Sequence, residues 1–212
     1  MFKTRLISGI LLIIVAFGLI YAGGWVLLAG LGVISLIGMF ELNRTIKSEK
    51  SIPAYAGYLA AVVYYLLLAF ASDAGTDSLP ISFFVLFLIV LMGVYVFSFP
   101  KYESNQVMNV FFGFVYVAVM LSYIYRTRLL DGGIYLVWLT FLSSWGCDTC
   151  AYCVGMLIGK HKMAPKLSPK KSVEGGIGGI VGAGLLGLIF GLVFHGALKA
   201  TLTNPALDCA VI

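Results

Sequence analysis

Apolar residues run in long stretches along this chain, at about residues 6–22, 25–40, 53–71, 80–99, 107–125, 133–158 and 176–198. Each stretch is close to the roughly 20 helical residues needed to cross a hydrocarbon layer. The connectors hold the turn formers and most of the charge: Gly23-Gly24, then residues 43–53, 72–80, 100–106, 126–133 and 159–175. This pattern predicts an all-α, polytopic membrane helix bundle of about seven transmembrane helices. It reads as one integral membrane domain over 1–212, with spans in 1–132, a helix, loop and helix in 133–198, and a closing segment 199–212. The first apolar run reads as a retained helix and not a signal peptide, because it is long for a signal core and a second apolar run follows at once.

Composition sharpens this picture. With 61% hydrophobic and 11% charged residues and a mean hydropathy of +1.02, the chain has too little polar surface to cover a soluble globule. Its net charge of +5 would suggest nucleic acid as the partner of a soluble protein. Here the bases lie between apolar runs, so they read as topology signals and contacts to anionic headgroups, and nucleic acid is excluded. With the N-terminus in the cytoplasm, all 14 lysines and arginines except Arg126, Arg128 and Lys199 fall on the cytoplasmic side, as the positive-inside rule requires. The loop 159–175 then faces the cytoplasm of a cell-membrane protein.

Asp148 lies inside an apolar run, where an acid costs about 2.5 to 3.5 kcal/mol even on lenient insertion scales and therefore usually serves a substrate, ion or proton. On a helix, Ser144, Asp148, Tyr152, Gly155 and Gly159 share one stripe. The glycines allow close approach of a helix or a ligand, while the carboxylate and phenol face the resulting gap; plain helix packing explains the glycines equally well. Lys160, His161, Lys162, Lys166, Lys170 and Lys171 follow in the loop. That density suits a polyanion, or lipid headgroups. Ser168-Pro169 reads as a helix start, and Ser172 to Gly179 reads as a run of unobstructed amides able to cradle phosphate. Glu174, an acid at the mouth of a basic loop, suggests a divalent cation bridging carboxylate and phosphate, with Asp148 and Glu174 as candidate metal ligands. Cys147, Cys150 and Cys153 read as small apolar packing residues and not as cluster ligands, since steps of three keep them on one helix face. The glycine and alanine stripe Gly179, Ala183, Gly187 and Gly191 reads as packing.

The stretch from Asp148 to Gly179 resembles the phosphatidate cytidylyltransferases, also called CDP-diacylglycerol synthases. The matching elements are Asp148-Thr149, Ala151-Tyr152, Gly155, Gly159-Lys160, Pro165, Ser168-Pro169, Lys171, Glu174-Gly175 and Gly178-Gly179, and Met39-Phe40-Glu41 at the end of the second apolar run is also similar. The resemblance implies a membrane enzyme that converts CTP and phosphatidic acid to CDP-diacylglycerol and pyrophosphate with Mg2+ as helper. It implies Asp148, Lys171 and Glu174 as catalytic residues: Asp148 as a metal or site acid, Lys171 as a phosphate contact, Glu174 as a metal-side or loop-ordering acid. Tyr152, Lys160, Lys166, Ser168, Pro169, Lys170, Gly175, Gly178 and Gly179 are the expected substrate-binding residues. The expected partners are CTP, phosphatidic acid and membrane lipids, with a homodimer as a candidate assembly.

Three departures stand out. Cys150 occupies a position where the family has glycine, and Ser172-Val173 replaces Thr-Trp before the Glu-Gly pair. The family's second signature, with its Pro-Gly-His-Gly-Gly loop and Asp-Arg-x-Asp run, is not found before Ile212. The expectation is a shortened member lacking some metal-centre acids. The competing expectation is a non-catalytic homologue or scaffold that binds lipid phosphate; a transporter is disfavoured because paired broken helices are not evident.

Overall fold

The computed structural model describes residues 2–71, 79–166, 168–199 and 201–211. The chain divides into two compact units, Met1–Arg126 and Thr127–Ile212.

The first unit begins with α1 (Phe2–Ala22) and α2 (Gly24–Thr45). The reversal between them is made by Gly23 and Gly24, whose φ angles of 62° and 45° are open to glycine without the Cβ clash other residues meet. Next come α3 (Ile52–Ala71), α4 (Leu79–Ser98) and α5 (Ser104–Gly113); a π-helical stretch, Phe114–Val119, carries the last of these into α6 (Met120–Leu129). The core gathers Leu27, Leu31 and Met39 from α2, Ala61 and Tyr64 from α3, Leu91 from α4, and Val110 and Phe114 from the interrupted helix, all buried. Phe114 sits at its centre, its ring 4.8 Å from Phe87 and 5.7 Å from both Tyr64 and Phe84. Buried polar links also join these helices. Ser35 Oγ lies 2.8 Å from the Tyr65 hydroxyl, which donates to the Ala118 carbonyl at 3.1 Å, inside the π-helical stretch.

The second unit holds α7 (Gly133–Ile158), strands β1 (Lys162–Ala164) and β2 (Ser168–Ser172), α8 (Val173–Val193), the single turn α9 (His195–Leu198) and α10 (Pro205–Val211). The small-residue stripe of α8 is a packing surface, as its spacing implies. Gly179 faces Ala151 and Cys147 of α7, while the Cys209 and Pro205 carbonyls of α10 occupy the space where a Cβ would stand at Gly187 and Gly191.

The architecture is predominantly helical, with one short antiparallel hairpin, β1 to β2. Among the described residues, four helices are long and apolar enough to cross a membrane: Gly24–Thr45, Ile52–Phe70, Ser104–Leu129 and Val173–Val193; Leu11–Ala22 and Ser82–Ser98 are apolar but shorter. Large apolar side chains such as Leu12, Ile14, Ile89, Val96, Ile180 and Ile189 are exposed on these helices. In water such faces would be aggregation surfaces; in a membrane protein they are the faces suited to lipid.

Two local expectations are corrected here. Ser168-Pro169 does not start a helix but opens β2, and the helix begins at Val173. The reason is a better cap four residues on: Ser172, in extended conformation, accepts the Gly175 N–H at 3.2 Å, the bond that makes serine a preferred N-cap. The run of amides from Ser172 to Gly179 is likewise not an open cradle. From Val173 onward it lies within α8, and the first-turn donors are also spent, Val173 on the His161 carbonyl at 2.9 Å and Gly175 on Ser172.

Candidate functional site

The expected site residues all fall in the second unit, on the end of α7, the hairpin and the start of α8. The two helices meet almost backbone to backbone. A Cβ on Gly175 would stand 2.8 Å from the Ala151 carbonyl oxygen and 3.1 Å from Gly155 Cα, and one on Gly178 would strike Val154 at 2.5 Å. At Gly159 the same atom would collide with the Gly155 carbonyl and, at 2.5 Å, with Ser172 Oγ. Gly155, Gly159, Gly175, Gly178 and Gly179 thus work as a contact surface that lets the helices close around the buried Ser172 cap.

The stripe on α7 divides by depth. Gly155 and Gly159 turn toward α8, whereas Ser144, Asp148 and Tyr152 are exposed. Cys147 and Ala151 face α8 directly; Asp148, one position beyond Cys147 and about 100° around the helix, clears that interface. Its carboxylate has no hydrogen-bond or ion-pair partner among the described residues. The thiols follow the same geometry. Cys147 and Cys150 pack on Gly179 and Gly182, and Cys153 is exposed.

Glu174 is in the opposite situation. Its Oε2 accepts the Lys160 N–H at 3.1 Å, both carboxylate oxygens accept the His161 N–H at 3.2 Å, and Oε1 lies 2.6 Å from His161 Nδ1. The acid stands in the first turn of α8, where the helix dipole favours negative charge. Lys160, Lys162, Lys166, Lys170 and Lys171 remain exposed, as does Pro169, while Ser168 is half-buried. Strand pairing joins Lys162 to Ser172 and Ala164 to Ser168 with a register shift between them, so Pro169, Lys170 and Lys171 oppose Met163 alone. An excess of this kind bends a strand and re-aims its side chains.

Among the described residues no group of three or more His, Cys, Asp or Glu side chains is placed to hold a metal ion. A magnesium ion needs less than that, since it takes one or two carboxylates and fills its shell with water and phosphate oxygens; the free Asp148 carboxylate fits that demand, and the engaged Glu174 carboxylate fits it poorly. The pairing of His161 with Glu174 is the part of the site that sequence reasoning missed. Their spacing matches no helical or strand period, and only closure of the hairpin brings them together.

The profile of the cytidylyltransferase family matches residues 3–210. Curated relatives named phosphatidate cytidylyltransferase include those of Staphylococcus saprophyticus, 28% identical over 166 residues, and Staphylococcus haemolyticus, 27% identical over 164 residues. Each alignment covers 77% of this chain and 62% of the relative, so the chain spans a little under two thirds of their length.

Proposed function

The chain belongs to the cytidylyltransferase family, and from that membership we propose that it acts in moving a cytidylyl group from CTP to phosphatidic acid in phospholipid biosynthesis. In this reaction an oxygen of the lipid phosphate attacks the α-phosphorus of CTP, the bond from that phosphorus to the bridging oxygen breaks, and pyrophosphate leaves with the electron pair. The products are CDP-diacylglycerol and pyrophosphate. No protein nucleophile is needed, so the work is positioning and neutralising two anions.

The observation that carries this reading is the exposed, lysine-bearing hairpin that joins α7, with its free Asp148 carboxylate, to α8. Lys171, with Lys160, Lys166 and Lys170, meets the phosphates of the two substrates, and Ser168 and Pro169 shape the strand that presents them. Tyr152 shares the exposed face of α7 with Asp148 and borders the lipid side. Magnesium, held by Asp148, supplies charge neutralisation at the phosphates when bound. We place the hairpin in the cytoplasm of a cell-membrane protein with about seven spans and a cytoplasmic N-terminus, the arrangement in which a water-soluble nucleotide and a membrane lipid both reach it.

Asp148→Asn tests the proposal in the full gene product that contains this chain, assayed in vesicles with CTP, phosphatidic acid and Mg2+. Turnover should fall at least about a hundredfold, the scale on which one charge-stabilising group acts, with helix content and elution unchanged. Turnover at the unmutated rate would remove Asp148 from the site.

A further inference from the structure

We propose that Glu174 and His161 are positioning residues that form a latch, fixing the hairpin at its base so that its lysines reach the nucleotide as a preformed array. The proposal rests on the function given above and deepens it.

His161 is held three ways: its N–H and its ring nitrogen meet the Glu174 carboxylate, and its carbonyl accepts the Val173 N–H at 2.9 Å. Lys160 is held by the same carboxylate through its own N–H. The other end of the hairpin is fixed independently, because Ser172 is buried as the α8 cap against Gly155 and Gly159. A third attachment lies partway along β1. Met163 Cε lies where a Cβ on Gly176 would come within 2.6 Å, so the methionine rests on the bare backbone of α8.

Between these attachments the lysines are exposed and bound to no acid among the described residues. A two-stranded hairpin this short does not hold itself together in water. Without the latch it would sample many shapes, and each phosphate contact would have to order it afresh; a ligand binds more tightly to a surface ordered in advance. The latch also explains an acid in a basic loop without assigning it to a metal, since N–H donors of the loop occupy both oxygens. Glu174 acts through the backbone of residues 160 and 161 and touches neither the substrate nor the reacting atoms.

The test compares Glu174→Ala, Glu174→Gln and His161→Ala in the full gene product in vesicles, by amide hydrogen exchange over residues 160–172 and by steady-state kinetics in CTP and Mg2+. Glutamine keeps an acceptor oxygen for the two backbone N–H groups but is a poor magnesium ligand, so it separates the two roles. For a latch, the Glu174→Ala and His161→Ala variants exchange faster over the hairpin, KM for CTP rises about tenfold or more in Glu174→Ala with kcat within about threefold, and Glu174→Gln stays near the unmutated protein in both measurements. Unchanged exchange in Glu174→Ala overturns the latch. So does a Glu174→Gln variant as impaired as Glu174→Ala with a raised Mg2+ requirement, which would make Glu174 a metal ligand. Exchange needs no turnover, so it decides the latch even where CTP is not consumed, an outcome that would count against the functional reading alone.

Discussion

The carboxylate of Asp148 is exposed and unpartnered while that of Glu174 is engaged by N–H donors on both oxygens, and this sets what each can do. A free carboxylate can take up a cation; one already accepting several N–H bonds would have to give them up first, at the cost of leaving those donors unpaired. Hence loss of the Asp148 charge is expected to abolish turnover and loss of the Glu174 charge, with the acceptor kept, is not. Tyr65 shows a different residue-scale effect. Its hydroxyl joins Ser35 of α2 to the Ala118 carbonyl, both buried partners. Tyr65→Phe leaves them unpaired, which in soluble proteins costs about 1 to 3 kcal/mol, although interhelical bonds in membranes average nearer 0.6. We therefore expect a loss of about 1 kcal/mol in reversible unfolding from mixed micelles, and an unchanged midpoint would show that those groups find other partners.

At the scale of elements, α8 is the pivot of the second unit, with α7 and α10 packed against it across bare glycine backbone. At Gly187 the Cys209 carbonyl occupies the Cβ position, so even a methyl group must push α10 away. Overpacking of this kind costs about 1 to 3 kcal/mol. Gly187→Ala should lower the thermal midpoint and speed exchange of the α10 amides, whereas Gly196→Ala, where nothing lies within 4 Å, should leave both alone. Equal behaviour of the two variants would mean that α10 is not seated on α8 in the membrane. The hairpin is the contrasting element: its own pairing is weak, and its order is borrowed from helix ends.

For the molecule as a whole, the decisive pattern is the distribution of charge between apolar helices. Placing the 159–175 segment outside the cytoplasm would strand five lysines on the wrong side, against a bias that normally sets orientation. A single cysteine at Lys170, in a background with the four native cysteines replaced by alanine, should react with a membrane-impermeant maleimide in inside-out vesicles and be protected in right-side-out ones. The reverse labelling would invert the topology and count against the proposed cytoplasmic nucleotide site.

Apolar run length and charge placement can be read from a sequence because they report a solvent: hydrocarbon demands long apolar helices with internally bonded backbones. The positions of α2, α3 and α8 were legible for that reason, as was α8 packing through Gly179, Gly187 and Gly191. Contacts between distant residues left no such periodic trace. The shift of the α8 start from Ser168 to Ser172 depended on which serine could reach a first-turn amide. The fate of the amides after Ser172 depended on helix formation, and the occupation of Glu174 depended on a hairpin returning His161 to its side. Sequence by itself determined a predominantly helical chain with long apolar helices; only the tertiary structure decided which acid stays free and which is engaged by backbone N–H groups, because hydrogen bonds are satisfied in space and not along the chain.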